Sequence, residues 1–229
     1  MNQRPHTTVI LAITTDGKIA DRTYAAARFG STQDKAHLEK QISLVDGVIF
    51  GAGTLRAYGT SLPITNSDLR QFRKKRHQTL QPFHIVASAS AQINFNLPFF
   101  QQSIPRWLLT TKTGSALWRN NHLFERVIVA PTYPDTSNFV WQPILSELLN
   151  LGLKKLAILG GGELVASLLA AKAVDEIWLT VCPFIFGGVN SPTPVAGVGW
   201  LQSQGIRLNL LEVKQIEQEV FLHYKVINS

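Results

Sequence analysis

The sequence predicts an α/β protein with a mixed, mostly parallel β-sheet flanked by helices and an antiparallel hairpin at its C-terminal end. Short apolar runs alternate with segments of helical spacing along most of the 229 residues, and repeated strand–helix–strand units form right-handed parallel crossovers. Near the C-terminus, two alternating apolar runs, 206–216 and 220–227, flank residues 217–219, which indicates the hairpin. The length suits one domain, and we expect residues 1–229 to form it.

The parallel part of the sheet is predicted from short apolar runs that have the length of strands. In chain order, these runs are 8–14, 47–50, 83–87, 107–111, 126–130, 156–159 and 176–182.

Four segments between these strands have helical spacing or helix-start signals: 32–44, 66–80, 141–151 and 163–173. Ser31 or Thr32 can cap the first, with Asp34 in its first turn, and Asn66 or Ser67 can cap the second. Pro143 lies in the first turn of the third, where a missing N–H does no harm.

Composition excludes several classes of protein. The single cysteine, Cys182, excludes an internal disulfide and any cysteine-based zinc site, and its apolar strand predicts a buried, inert thiol. No apolar run reaches the roughly 18 residues that a membrane-spanning helix needs. Residues 1–8 lack the hydrophobic core of a signal peptide. We therefore expect a cytoplasmic protein with no membrane partner.

The net charge of +7 has a substantial local source. Five of the 22 basic residues lie in the predicted polar helix 66–80: Arg70, Arg73, Lys74, Lys75 and Arg76. A solvated helix face is the favoured interpretation. A nucleic-acid contact surface is the alternative, but the chain contains no zinc-finger spacing, and we expect no nucleic-acid partner.

Three predicted strands end in glycine-containing segments: 14–18 (TTDGK), 51–54 (GAGT) and 160–163 (GGGE). In open parallel sheets, ligands bind outside the carboxyl ends of the strands. Glycines let the backbone approach a phosphate, and a helix N-terminus attracts anions. The three segments together suit a nucleotide, although 160–162 taken alone is equally compatible with a tight turn. The chain has no Walker lysine and no GxGxxG after the first strand, so the standard P-loop and Rossmann sites are excluded.

Four stretches of the chain resemble motifs of the RibD C-terminal domain family, the reductase domain of riboflavin biosynthesis. They are 14–20 (TTDGKIA), 45–54 (VDGVIFGAGT), 156–169 (LAILGGGELVASLL) and 174–188 (VDEIWLTVCPFIFGG). The resemblance implies a dihydrofolate-reductase-like fold, a homodimer and an NADPH-dependent reductase. The implied reaction transfers a hydride to the ribose C1′ of 5-amino-6-(5-phosphoribosylamino)uracil, or of its counterpart in the other order of deamination, and gives the ribitylamino product.

The resemblance also implies which residues bind the ligands. The turn 13–17 would lie against the nicotinamide, Thr54 would hydrogen-bond the cofactor, and the backbone of 160–164 would bind its phosphates. The complete set implied for NADPH is Ile13, Gly17, Lys18, Gly51, Gly53, Thr54, Ser88, Gly160, Gly161, Gly162, Glu163 and Leu164. The set implied for the phosphorylated small-molecule substrate is Thr14, Arg56, Tyr58 and Leu62. No metal ligand is expected and no catalytic residue is identified, because turn capping is favoured over catalysis for Asp16.

On the substrate side the chain departs from the family's pattern. Tyr58 stands where the family has an acid, Thr65 and Ile42 stand at positions of two arginines, and Leu159 stands at the position of a glutamate. Charged hydrogen bonds are the strong ones, so either neighbouring cations take over or the substrate differs. The neighbouring cations are Arg28, Lys40 and Arg56.

Two other functions remain open from the sequence. One is a related reductase that acts on another pterin, pyrimidine or carbonyl compound. The other is a non-enzymatic nucleotide-binding or nucleic-acid-binding protein, with residues 70–76 as its contact surface.

Overall fold

The computed structural model describes residues 3–227, and its centre is one nine-stranded sheet in the order β5-β4-β3-β2-β6-β1-β7-β9-β8. Neighbouring strands from β5 to β7 pair in parallel. β9 pairs antiparallel with β7 and with β8. The predicted mixed, mostly parallel sheet with a C-terminal antiparallel hairpin is therefore confirmed.

The strand bounds lie close to the predicted ones. They are β1 His6–Thr14, β2 Gly47–Gly51, β3 Phe83–Ala87, β4 Arg106–Thr110, β5 Arg126–Val129, β6 Lys155–Ile158, β7 Glu176–Cys182, β8 Arg207–Ile216 and β9 Glu219–Ile227. The hairpin turns at 217–218, and Glu217 adopts a positive φ of 55° there.

Within residues 3–227, six α-helices accompany the sheet: α1 Thr32–Ser43, α2 Ala52–Tyr58, α3 Ser67–Lys75, α4 Lys112–Ala116, α5 Trp141–Asn150 and α6 Gly162–Ala170. Ser31 caps α1 and Asn66 caps α3, each through its side-chain oxygen. The sequence pattern predicts neither α2 nor α4, because helices of seven and five residues are too short to display a periodicity. α3 ends five residues before the predicted boundary, since His77 has a φ of +56°.

Two apolar layers cover the two faces of the sheet. Alternate residues of one strand enter different layers, as Val9 and Ile10 of β1 do. α5 and α6 pack on the Val9 side. α1, α2 and an aromatic group that includes Phe99 and Trp118 pack on the Ile10 side. Among the described residues, no helix is long and apolar enough to cross a membrane.

One member of the basic cluster has a structural role. Arg73 is 1% exposed. Its Nη1 donates to the carbonyl oxygens of Ser43 and Val45 at 3.1 and 2.6 Å, and its Nε donates to that of Thr79 at 2.7 Å. Arg73 therefore satisfies carbonyl groups at the C-terminal end of α1. The solvated-face interpretation is wrong for this residue, although Lys74, Lys75 and Arg76 are exposed as predicted.

We predict that Arg73→Leu lowers the free energy of unfolding by about 3 kcal/mol, because it leaves buried carbonyl oxygens without donors. Urea denaturation of purified protein measures the loss. The matched control is Lys75→Leu on the exposed side of the same helix, which should change stability by no more than about 0.5 kcal/mol. Equal effects of the two substitutions would contradict the role assigned to Arg73.

Candidate active site

The three predicted glycine segments lie side by side at one edge of the sheet. β6 pairs with β2 on one side and with β1 on the other, so the carboxyl ends of the three strands meet there. The amide of Gly51 donates to the carbonyl oxygen of Gly160 at 2.9 Å. A Cβ placed on Gly160 would lie 3.2 Å from Cδ2 of Leu11 in β1. The structure thus brings together segments that are far apart in the sequence.

Two helices begin at this edge without a side-chain cap. The N-cap residues are Gly51 for α2 and Gly161 for α6. A Cβ on Gly161 would lie 3.7 Å from Oγ1 of Thr54, so the first turns of the two helices are neighbours. The peptide bond between Gly160 and Gly161 is cis. Uncapped N–H groups and the positive ends of helix dipoles attract anions, and the site can therefore hold a phosphorylated ligand.

Asp16 closes the turn after β1. Its carboxylate accepts hydrogen bonds from the Thr14 hydroxyl at 2.6 Å and from the amides of Phe186 and Gly187 at 3.2 and 2.7 Å. The Thr14 bond first, and the two amides with it, lower the pKa of Asp16. Gly17 has a φ of +76°, a conformation that suits glycine. The carboxylate thus makes structural hydrogen bonds, as the favoured interpretation expects, but its main amide partners lie in the loop after β7 rather than in its own turn.

A cleft of about 630 Å³ opens beside the glycine segments. Gly51, Glu163 and Leu164 from the predicted cofactor set line it, and so does Ala87 at the end of β3. Its other walls are α6, the first residue of α5 and two loops that sequence reasoning did not assign to the site, 133–139 and 196–200. Aromatic rings of Tyr133, Phe139, Trp141 and Trp200 line these walls. Scattered aromatic residues carry no spacing signal, so no sequence pattern predicts these walls.

Other predicted cofactor residues lie at the same edge but differ in how far their side chains are exposed and hydrogen-bonded. Ile13 is half-buried at the end of β1. Nζ of Lys18 donates to the Ser191 carbonyl oxygen at 3.4 Å. Ser88 is 8% exposed, and its hydroxyl accepts a hydrogen bond from the Ala91 amide at 3.1 Å. Ser88 therefore closes a turn behind Ala87.

Of the predicted substrate residues, Arg56 and Tyr58 lie in α2, Leu62 follows that helix, and Thr14 is the last residue of β1. Thr14 is buried, and its hydroxyl also accepts from the Lys18 amide at 2.9 Å. Tyr58 is 41% exposed and donates to the Ala27 carbonyl oxygen at 2.9 Å. Arg56 is exposed, and a Cβ on Gly53 would lie 3.9 Å from its Nη2. Leu62 packs against the α1-side core.

The positions that depart from the family's pattern have roles in the scaffold. The amide and hydroxyl of Thr65 donate to the carboxylate of Glu39, with the hydroxyl at 3.0 Å. The Asn66 amide donates to the same oxygen at 2.7 Å. Ile42 is fully buried, and Leu159 packs against the same core. An arginine at position 42 would enter this core, so the family's helix arginine has no counterpart at that position.

A cluster of polar side chains around Glu219 also lies at this edge, and the sequence did not predict that its members meet. Glu219 at the start of β9 is 4% exposed. It accepts hydrogen bonds from the Ser31 amide and hydroxyl at 2.8 and 2.6 Å and from the Cys182 thiol at 3.4 Å. Burial and then Glu219 raise the pKa of Cys182, so this thiol is buried and protonated as predicted. Asp34 lies beside the pair and interacts with Glu219 and Thr180.

The described residues contain no group of three or more His, Cys, Asp and Glu side chains that could hold a metal ion.

Comparisons with known proteins give consistent matches over nearly the whole chain. The family model described as the RibD C-terminal domain matches residues 5–222. The 2,5-diamino-6-ribosylamino-4(3H)-pyrimidinone 5′-phosphate reductase of Archaeoglobus fulgidus is 26% identical over 87% of this chain and 90% of its own length. The reductase of the same name from Aquifex aeolicus is 26% identical over 99% of both chains.

Solved structures share the fold. A pyrimidine reductase-like protein from Corynebacterium diphtheriae superposes with a TM-score of 0.82 at 22% identity, over 98% of this chain and 93% of that one. The yeast riboflavin biosynthesis reductase superposes with a TM-score of 0.73 at 15% identity, over 99% of this chain and 92% of that one.

We predict that Gly162→Ala lowers the free energy of unfolding by about 1–3 kcal/mol. Its Cβ would lie 2.3 Å from the Thr193 carbonyl oxygen, so the loop that packs on α6 must move. Gly51→Ala is the matched control, because its Cβ would meet no atom closer than 3.7 Å. Urea denaturation compares the two variants, and equal stability would show that the contact with Thr193 is not tight.

Proposed function

The chain belongs to the RibD C-terminal domain family, and we propose on that premise that it is an NADPH-dependent reductase of riboflavin biosynthesis. It reduces the ribose of a phosphoribosylamino-pyrimidine to the ribitylamino product. Three relatives matched over nine-tenths or more of their own length are all named for the 2,5-diamino-pyrimidinone phosphate, so this is the first substrate to test. The uracil counterpart, 5-amino-6-(5-phosphoribosylamino)uracil, is the second.

The observation that carries the proposal is the meeting of the three glycine segments at one edge. The Gly51–Gly160 hydrogen bond and the 3.7 Å approach of Gly161 to Thr54 place two helix N-termini together. The diphosphate of a nicotinamide dinucleotide suits this anion site. When bound, the cofactor supplies a hydride.

The chain's own residues bind the cofactor and orient it towards the substrate. The backbone of 160–164 and Thr54 hold the diphosphate, and the turn 13–17 presents the nicotinamide to the substrate. The hydrogen bonds of Asp16 to the 186–187 backbone fix that turn against the loop after β7. Such positioning supplies much of the rate enhancement in a cofactor enzyme.

The substrate phosphate requires a cation on the α2 side of the edge. We propose Arg56, because its guanidinium lies beside Gly53 in the first turn of α2. Arg28 is a second exposed cation here, since it acts electrostatically on Tyr58. Thr65 and Ile42 are unavailable for this role, because one binds Glu39 and the other is in the core.

The absence of arginines at positions 42 and 65 also favours a second candidate function. This is a related reductase of another pterin, pyrimidine or carbonyl compound. Both candidates predict NADPH binding, and they differ in the substrate that is consumed. The decisive experiment follows absorbance at 340 nm with NADPH and each pyrimidine phosphate in turn, then with pterins and simple carbonyl compounds. Turnover of a pyrimidine phosphate with ribitylamino product supports the first candidate, and turnover of only another compound supports the second.

We predict opposite effects of Gly53→Ala on stability and on cofactor binding. Gly53 lies inside α2, where alanine stabilises a helix by about 0.5–1 kcal/mol. Its added methyl group has no protein atom closer than 3.9 Å, but it occupies space next to the proposed phosphate position. NADPH affinity should therefore fall at least about tenfold, or 1.4 kcal/mol.

Fluorescence titration and urea denaturation test this pair of effects. Ala57→Gly in the same helix is the control, which should lower stability and leave NADPH affinity unchanged. Unchanged affinity in Gly53→Ala would place the phosphates elsewhere.

We further propose that the protein works as one domain and forms a homodimer through β8. In the described part of the chain, this edge strand pairs only with β9, and Leu208, Leu210 and Val213 are 41–56% exposed. Their partners in the register are Val226, Tyr224 and Leu222, so the irregularity between Leu210 and Glu212 keeps all three apolar residues on one face. An exposed apolar edge of this kind suits pairing with a second copy.

We also propose a cytoplasmic location, because a nicotinamide-dependent enzyme with a buried free thiol suits that compartment.

We predict that Leu210→Asp raises the dissociation constant of the dimer by at least about tenfold, because it places a charge in the apolar stripe. Light scattering coupled to size-exclusion chromatography over a dilution series measures the change. Asn209→Asp adds the same charge on the opposite face of β8 and should leave the dimer intact. A monomeric wild-type protein, or equal effects of the two variants, would exclude this interface.

A further inference from the structure

Two carboxyl groups interact beside the carboxyl end of β7. Asp34 lies in the first turn of α1, and Glu219 is the first residue of β9. They are 185 positions apart in the sequence, and neither belongs to the residues that the glycine segments bring together. Asp34 also hydrogen-bonds Thr180 of β7. The pair therefore joins α1 to the strands that continue the sheet beyond β1.

Glu219 is held by hydrogen bonds from the segment before α1 and from β7. It is 4% exposed and accepts from three donors, the Ser31 amide, the Ser31 hydroxyl and the Cys182 thiol. The Glu219 side chain is therefore fixed in place beside Asp34.

Asp34 packs against the backbone that precedes α1. Its Oδ2 lies 2.3 Å from the position of a Cβ on Gly30, so the carboxyl group packs directly on that backbone. Burial raises the pKa of Asp34 above its ordinary value; Thr180 lowers it and the charge of Glu219 raises it. Asp34 is only partly buried, so a bound molecule can reach a carboxyl group that retains a proton to higher pH than usual.

Asp34 borders the proposed reaction centre. Its partner Thr180 pairs with Ala12 of β1, and the next residue on the same face, Cys182, pairs with Thr14. Ala12 is partly exposed although β1 is an interior strand, so the α1 face of the sheet is open just before the 13–17 turn. On the far side of the opening, the charge of Asp34 acts on the Tyr58 hydroxyl. A substrate between the turn and α2 would therefore lie against Asp34.

We propose that Asp34 is the proton donor of the reduction, with Glu219 as a positioning residue beside it. The proposal rests on the proposed function. Reduction at C1′ adds a hydride from the dinucleotide and breaks the bond between C1′ and the ring oxygen O4′. O4′ then takes the proton of the Asp34 carboxyl group and becomes a hydroxyl. The Asp34 carboxylate regains a proton from water, and the net reaction consumes one NADPH and one proton.

The pH dependence follows from the groups that face Asp34. Glu219 from β9 favours the protonated acid, and Cys182 from β7 is neutral. Tyr58 from α2 is also neutral at physiological pH, because burial raises its pKa. Arg28 is the cation that acts electrostatically on Tyr58. The active form of Asp34 is the protonated one. kcat should therefore fall as pH rises through the raised pKa of Asp34.

The test compares Asp34→Asn with Asp68→Asn. Both aspartates lie in the first turn of a helix behind a side-chain cap, so the loss of a favourable helix-dipole charge is matched. We expect Asp34→Asn to lower kcat by about 100-fold or more, to lose the alkaline decline, and to bind NADPH within about twofold of wild type. Asp68→Asn should keep the wild-type rate and pH profile.

Glu219→Gln provides the second measurement. Removing the negative charge lowers the pKa of Asp34, so the alkaline decline of kcat should move to lower pH, a shift that a purely structural role would not produce. Thermal unfolding confirms that each variant is folded. If the wild-type protein turns over substrate, two results would overturn the proposal for Asp34 alone. One is a kcat of Asp34→Asn within threefold of wild type, and the other is an unshifted pH profile of Glu219→Gln. Absence of wild-type turnover with every substrate would instead overturn the proposed function.

Discussion

The parallel insertion of β6 between β1 and β2 is the contact on which the candidate site depends. β6 is only four residues long, yet its pairing with both neighbours brings the segments at residues 14–18, 51–54 and 160–163 to one edge. The hydrogen bond from the Gly51 amide to the Gly160 carbonyl oxygen extends this pairing beyond the last residue of the strand. Backbone groups, rather than long side chains, thus set the distance between the two helix N-termini. An anion site built in this way is pre-formed, since its donors belong to the sheet and helices themselves.

Buried charged groups position the helices around that edge. Arg73 ties α3 to the C-terminal end of α1, and Glu39 ties α1 back to the start of α3. Glu219 fixes the segment before α1 to the hairpin through Ser31. Each of these side chains is satisfied by several hydrogen bonds, which is the condition under which burying a charge is tolerated. α1 is consequently anchored at both ends, and its first turn is held against the sheet beside the proposed reaction centre.

The positions that depart from the family's substrate pattern have scaffold roles in this chain. Positions 42 and 65 serve the core and the α1–α3 contact, so the substrate phosphate of the proposed reaction would need a cation at another position. Asp34 and Tyr58 interact electrostatically on the α1 side of the sheet. The proposed chemistry opposite the cofactor would therefore depend on this chain's own side chains.

Local patterns along the sequence were enough to predict the alternation of strands and helices, the C-terminal hairpin and the three glycine segments, because period, turn residues and caps act over a few neighbouring positions. They also indicated a structural role for Asp16, although not its amide partners in the loop after β7. They did not reveal the buried role of Arg73, the aromatic walls of the cleft around Tyr133 and Trp200, or the meeting of Asp34 with Glu219. These contacts join residues from distant parts of the chain, and only the strand order of the sheet decides which of them meet. The sequence by itself therefore determined the elements and the backbone half of the site, whereas the tertiary structure decided which charged and aromatic side chains complete it, since burial and pairing depend on neighbours that no local pattern contains.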